Sequence, residues 1–281
     1  MKTIARLWQR ILVVIRAVIL GELVVTIGGA PPELALIANL RFLPDVPWML
    51  LPAAVWLWLC WRFLNGDGPP RLGAARRREL LRAQPLSGAM WRAALLFGTF
   101  ALTACLCLAF LTVTLVRTPM SAFRIGIDFA PLPWWTIVSC LIVISVTAGV
   151  IEEAGFRGYM LRPIQQRHGW IVATLITGFL FFLDHHLSHA YATWAFLPFF
   201  MSISAAHAML VRRTGSIKPS AVLHSIFDLA VIPVMYGLVA RMPVSADDAI
   251  RRRMLLIESL VLAVLAAGSW WSYRRLAVSG E

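Results

Sequence analysis

Residues 133–162 read PWWTIVSCLIVISVTAGVIEEAGFRGYMLR. No Asp, Glu, Lys, Arg or His occurs in this run before Glu152. A helix of about 20 apolar residues is long enough to cross a hydrocarbon core, and this one is long enough to tilt or protrude. Two glutamates and two arginines then appear in its second half, where ionisable groups are costly and ask for a purpose. The stretch therefore sets a membrane fold and marks where chemistry is to be sought.

The rest of the chain repeats the pattern. Its 281 residues are 59% apolar and 14% charged, with a mean hydropathy of +0.75; soluble domains usually carry about 25% charge. Eight apolar spans are predicted, at 8–29, 47–64, 91–116, 133–162, 169–187, 191–211, 217–238 and 254–273. The expected fold is all-α, a polytopic transmembrane helical bundle forming one membrane domain over 1–281. Within it, 1–132 supplies N-terminal spans, 133–238 the motif-bearing core and 239–281 a C-terminal span.

The first run, from Ile11 to about Gly29, exceeds a signal-peptide core and exits into Pro31-Pro32, a poor cleavage context, so an uncleaved helix is expected. Arg16 and Glu22 inside it must face a partner or snorkel.

The net charge is +12 and the pI near 10.9. No basic patch is interleaved with aromatics in the manner that stacks bases, so nucleic acid is not an expected partner. Basic residues cluster instead between spans: Lys2, Arg6 and Arg10; Arg62 to Arg82; Arg162 and Arg167; Arg212, Arg213 and Lys218; Arg274 and Arg275. The positive-inside rule puts these on one side and both termini of a multi-pass protein in the cytoplasm. The last connection is the exception, with Arg241 and Arg251 to Arg253 against Asp247 and Asp248. The Gly/Pro/Arg-rich stretch from Asn65 to Pro85 reads as a polar surface segment. Cys60, Cys105, Cys107 and Cys140 all lie in apolar runs without metal spacing and read as small buried side chains.

Three clusters stand out. In Glu152-Glu153-Ala154-Gly155-Phe156-Arg157, Glu153 and Arg157 are four apart and can pair, while Glu152 is turned by about 100°. Phe181-Phe182-Leu183-Asp184-His185-His186 follows on the next helix, with His189 one turn beyond His185. His224-Ser225-Ile226-Phe227-Asp228 comes last. Counted from their connections, Glu152 stands about 15 Å up its helix, His185 about 24 Å, and His224 with Asp228 about 9–15 Å. Convergence on one hydrated cavity is feasible.

Glu-Glu-x-x-x-Arg, Phe-x-x-x-His and His-x-x-x-Asp in this order resemble the CPBP family, the CAAX proteases and bacteriocin-processing (Abi) enzymes. Arg213-Thr214-Gly215-Ser216-Ile217 resembles the family's connection into its last motif helix. The resemblance spans about 133–238 and implies an intramembrane glutamic endopeptidase without a cofactor. It implies that Glu152 and His185 activate a water, that Glu153 and Arg157 order the site, and that His224 and Asp228 stabilise the oxyanion. Asp228 stands where many members have Asn; an ionised Asp cannot donate to an oxyanion, so it must be protonated or must orient His224. His186 and His189 are alternative histidines. A peptide or membrane-protein substrate is implied, of leader or CAAX type.

The rival readings are a zinc protease using His185, His189 and His224, a non-catalytic immunity or scaffold protein, and a proton-relaying transporter. No His-Glu-x-x-His supports zinc, and no repeat symmetry supports transport.

Overall fold

The computed structural model describes residues 2–123, 131–234 and 248–278. Among them no strand occurs. The helices are α1 Lys2–Phe42, α2 Leu50–Leu64, α3 Ala74–Leu81, α4 Gly88–Val116, α5 Trp134–Glu152, α6 Leu161–His168, α7 Trp170–Ser188, α8 Leu197–Thr214, α9 Lys218–Pro233 and α10 Asp248–Val278. A π-helical stretch, Glu153–Met160, joins α5 to α6. All eight expected spans carry a helix. Six are long and apolar enough to cross a membrane, while Leu50–Leu64 and Lys218–Pro233 are shorter. The protein is an integral membrane protein. Residues 235–238 of the seventh expected span, and Arg241 and Asp247 of the last connection, lie outside the described residues.

The chain folds into two compact units. The first contains Met1–Gln84, Ile127–Thr174 and Ser216–Leu229. Its frame is α1, which does not end at Gly29 as expected but runs through Pro31 and Pro32 to Phe42. Proline at 32 removes the N–H that would bond the Gly28 carbonyl, and the Trp56 indole of α2 donates to that carbonyl instead, at 2.9 Å. A substitute donor lets the helix continue. The span Leu12–Phe42 then measures about 46 Å at 1.5 Å per residue, which exceeds the hydrocarbon thickness and explains how Arg16 stays exposed. Buried Asn39 fixes the α1–α2 turn, accepting from the Met49 N–H at 2.9 Å and donating to the Leu43 carbonyl at 3.1 Å. Thr136 and Trp135 donate to the Pro44 and Asp45 carbonyls, which seats the start of α5 on the same turn.

Small residues let α1 lie against the far end of α5. A Cβ on Gly155 would stand 2.9 Å from the Gly21 carbonyl oxygen, and one on Gly28 would stand 2.8 Å from Ile151. Close helix contact in membranes depends on such positions.

The segment Asn65 to Pro85 departs from expectation. It holds α3, and Leu80 and Leu81 are buried. The apolar pair supplies a core face that the surrounding arginines obscure in the sequence.

The second unit contains Pro85–Gly126, Leu175–Gly215 and Ala230–Glu281. In it α4 packs on α10 and α8. Thr114 donates to Glu258 Oε1 at 3.0 Å. Arg251 donates to the Thr114 and Leu115 carbonyls at 3.1 and 3.0 Å, and Arg117 pairs with Asp248 at 2.6 Å. Arg251 therefore caps the C-terminus of α4, where a cation is favoured. A structural task accounts for part of the basic excess in that last connection.

Candidate active site

Glu152 closes α5, and the rest of the first motif lies in the π-helical stretch, whose residues are all buried. Single π turns inside α-helices are frequent at functional sites. The Glu153–Arg157 pair expected from the spacing is present, with Arg157 Nη1 3.1 Å from Glu153 Oε1 and both side chains almost fully buried. Glu153 has two further partners on α9. Ser220 Oγ donates to Oε2, and His224 Nδ1 lies 3.0 Å from Oε1. A nitrogen facing a carboxylate carries the proton, so Glu153 fixes the tautomer and orientation of His224.

The other imidazole nitrogen, Nε2, faces Asp228 Oδ2 at 3.5 Å and Glu152 Oε2 at 3.8 Å. Glu152 is about one-fifth exposed, whereas Glu153 is fully buried. The adjacent glutamates thus differ in kind. Glu153 is locked between Arg157, Ser220 and His224; Glu152 and Asp228 present carboxylates on the opposite edge of the ring.

Two features allow α9 to come this close. Gly149 lies one turn before Glu153, and a Cβ there would sit 2.7 Å from the Ala221 carbonyl oxygen. That neighbour is backbone and cannot yield, so Gly149→Val is expected to displace α9 and destabilise the protein by about 1–3 kcal/mol. Loss of cleavage with a lowered unfolding midpoint in detergent would show it; an unchanged midpoint would refute the close-packing role.

The second feature is Arg82, at the left-handed C-cap of α3. Its Nη2 donates to the Arg157 carbonyl at 3.0 Å, and its own carbonyl accepts from the Ile217 N–H at 3.1 Å. Ser216 Oγ donates to the Gln84 carbonyl at 2.8 Å. The α3–α4 connection therefore ties the π-helical stretch to the start of α9. Burial lowers the Arg82 pKa to about 10, still far above neutrality, so it remains a cation.

Arg82 and Ser220 escaped the sequence reading. Ser220 precedes His224 by four residues and so shares its face, a signal that was available. Nothing local marks Arg82 among its neighbouring arginines.

The second motif belongs to the second unit. His185 Nδ1 lies 2.9 Å from the Phe181 carbonyl, which makes it the donor and leaves Nε2 as the basic nitrogen of the neutral ring. Phe181 and Phe200 enclose the ring, with centroids at 4.5 and 4.8 Å. His186 turns to the following loop, with Nδ1 2.7 Å from the Ala192 carbonyl and its ring stacked on Phe182. His189 Nδ1 meets Ser188 Oγ at 2.7 Å. His207, absent from the motifs, is fully buried midway along α8.

The four cysteines are free thiols. No curated protein and no solved structure matches the chain. Residues 133–230, which hold every motif described above, match the family model of the Rce1-like type II CAAX prenyl endopeptidases, the family that those motifs resemble.

Proposed function

We propose that the protein is an intramembrane endopeptidase in which Glu152 is the general base. Glu152 activates a water, and the edge of His224 that faces Glu152 and Asp228 receives the oxyanion. The observation that carries this reading is the 3.8 Å approach of Glu152 Oε2 to His224 Nε2, with the opposite nitrogen held by Glu153. Peptide hydrolysis requires a base for water and a donor for the tetrahedral oxygen. With Nδ1 anchored, a doubly protonated His224 would donate through Nε2, and Glu152 would take the proton from water. Glu152, once protonated, would pass that proton to the leaving amine.

Glu153 and Arg157 order this arrangement and touch no reacting atom. Asp228 stands on the oxyanion side of the ring, and Glu153 already fixes the far side. Asp228 therefore serves the oxyanion side rather than the orientation of the ring. Asp228→Asn is expected to keep or raise the cleavage rate, because an amide always donates. Asp228→Ala should lower it by about 10², the order of one oxyanion donor. Complete loss in Asp228→Asn would assign the role to the charge instead.

A zinc ion on the same residues is the second reading, since Glu153 Oε1 and His224 Nδ1 form a close buried donor pair. Arg157 opposes it by placing a guanidinium 3.1 Å from that same oxygen, where it would repel a dication. Activity is expected to survive a strong chelator after metal stripping. Abolition by the chelator and recovery with zinc would reverse the choice.

The substrate is a membrane-associated peptide, a leader or a transmembrane segment in a bacterial inner membrane, cut by a protein with both termini cytoplasmic. Comparison of membrane peptidomes from cells carrying the wild type and Glu152→Gln tests the reading. Peptides that accumulate only in the wild type support it, and identical peptidomes overturn it.

A further inference from the structure

A cavity of about 760 Å³ lies within the first unit, between α1, α2 and α3. Its apolar body is lined by Leu20, Leu23, Val24 and Ile27 of α1 and by Trp56 and Leu59 of α2. Leu20, Leu23, Ile27 and Leu59 are exposed, so this part opens sideways where acyl chains run. On each helix the lining covers about two turns, or roughly 10–12 Å. Its other end is formed by the α2–α3 turn and is cationic, with Arg62, Arg76 and Arg77 at the wall.

The cationic end carries excess charge. From Arg62 to Arg82 there are six arginines against two acids, Asp67 and Glu79. Both acids are engaged: Asp67 pairs with Arg78 at 3.1 Å, and Glu79 with Arg76 at 2.7 Å and Arg162 at 3.4 Å. Hydrogen bonds from Asn65 and from Arg76 respectively hold the two carboxyls below their ordinary pKa values, so both are ionised at neutrality. Arg77 spends its donors on the Phe63, Leu72 and Pro70 carbonyls at 2.6–2.7 Å, which builds the turn but leaves its charge uncancelled. Arg62 stacks over Trp58 at 4.9 Å and forms no carboxylate pair among the described residues. Two cations with no carboxylate ion pair among the described residues thus stand at one end of a membrane-facing apolar slot. Basic pockets between membrane helices on the arginine-rich side suit anionic headgroups.

We propose that this cavity binds one acyl chain of an anionic phospholipid, with the phosphate held by Arg62 in the field of Arg77. A wholly apolar occupant would leave the cations unused, and a free anion would leave the slot unfilled. The site is separate from the peptidase reading and stands without it.

The test is native mass spectrometry of the full chain in detergent with added dioleoyl phosphatidylglycerol or dioleoyl phosphatidylcholine. The expected result is preferential retention of phosphatidylglycerol, reduced about fivefold by Arg62→Gln, the order for one arginine at an anionic headgroup. Val24→Phe, which fills the slot, should remove the adduct while preserving the unfolding midpoint. Equal retention of the two lipids overturns the proposal, as does a phosphatidylglycerol adduct unaffected by either substitution. Displacement of the lipid by inorganic phosphate alone overturns the part assigned to the acyl chain. Should Arg62→Gln fail to fold, the lipid comparison and Val24→Phe still decide.

Discussion

Glu152→Gln is expected to lower cleavage by about 10³, within the range of one general base, and to leave folding intact. The amide matches the carboxylate in shape and can still meet His224 Nε2, which lies 3.8 Å from Glu152 Oε2. What it cannot do is accept a proton from water. The loss should therefore fall on kcat with KM little changed, the mark of an interaction made in the transition state. Helical content and the unfolding midpoint in detergent should match the wild type, because Glu152 retains solvent access and is not the acid sealed in the core. Full activity in this variant would remove Glu152 from the mechanism. Equal losses of activity and stability would make it a packing residue.

Arg157→Met should act in the opposite way, through stability first. The Arg157 side chain is 1% exposed and Glu153 is 0% exposed. Removing one member of a buried ion pair leaves an uncompensated charge and costs about 3–5 kcal/mol. The drop should appear as a lowered unfolding midpoint in detergent, with loss of cleavage following from the displaced Glu153. The double substitution Arg157→Met with Glu153→Met removes both charges and should recover much of the stability. It should not recover activity, since His224 then loses the carboxylate on Nδ1. If the single substitution leaves the midpoint unchanged, the pair does not support the π-helical stretch. If the double variant regains cleavage, Glu153 does not orient His224.

These contrasts show what the residues disclosed and what they withheld. The spans were legible because 59% apolar content, broken by arginine clusters, admits few other arrangements. The Glu153–Arg157 pair followed from spacing, and the meeting of Glu152 with His224 from helix heights. The course of α1 was not legible. Pro31-Pro32 is a sound signal for a helix end, and it was overruled by a tryptophan 24 residues later in the chain. The roles of Arg82, Leu80 and Leu81 were hidden for a related reason. Their partners, Arg157, Ile217 and Gly158, are distant in the chain, and local composition could suggest only a loop. The spacing to Arg157 set Glu153 apart from Glu152, but the bonds from Ser220 and His224 that seal Glu153 depended on tertiary contacts.

The bond from the Trp56 indole to the Gly28 carbonyl carries a consequence for biogenesis. Until α2 emerges from the ribosome, α1 holds a carbonyl stripped of its donor by Pro32, and lipid tails offer no substitute. The first helix is thus incomplete as a solitary membrane insertion, and joint release of the two as a paired hairpin is the expected outcome. Replacing Trp56 with phenylalanine would separate their release and slow delivery of the protein to the membrane.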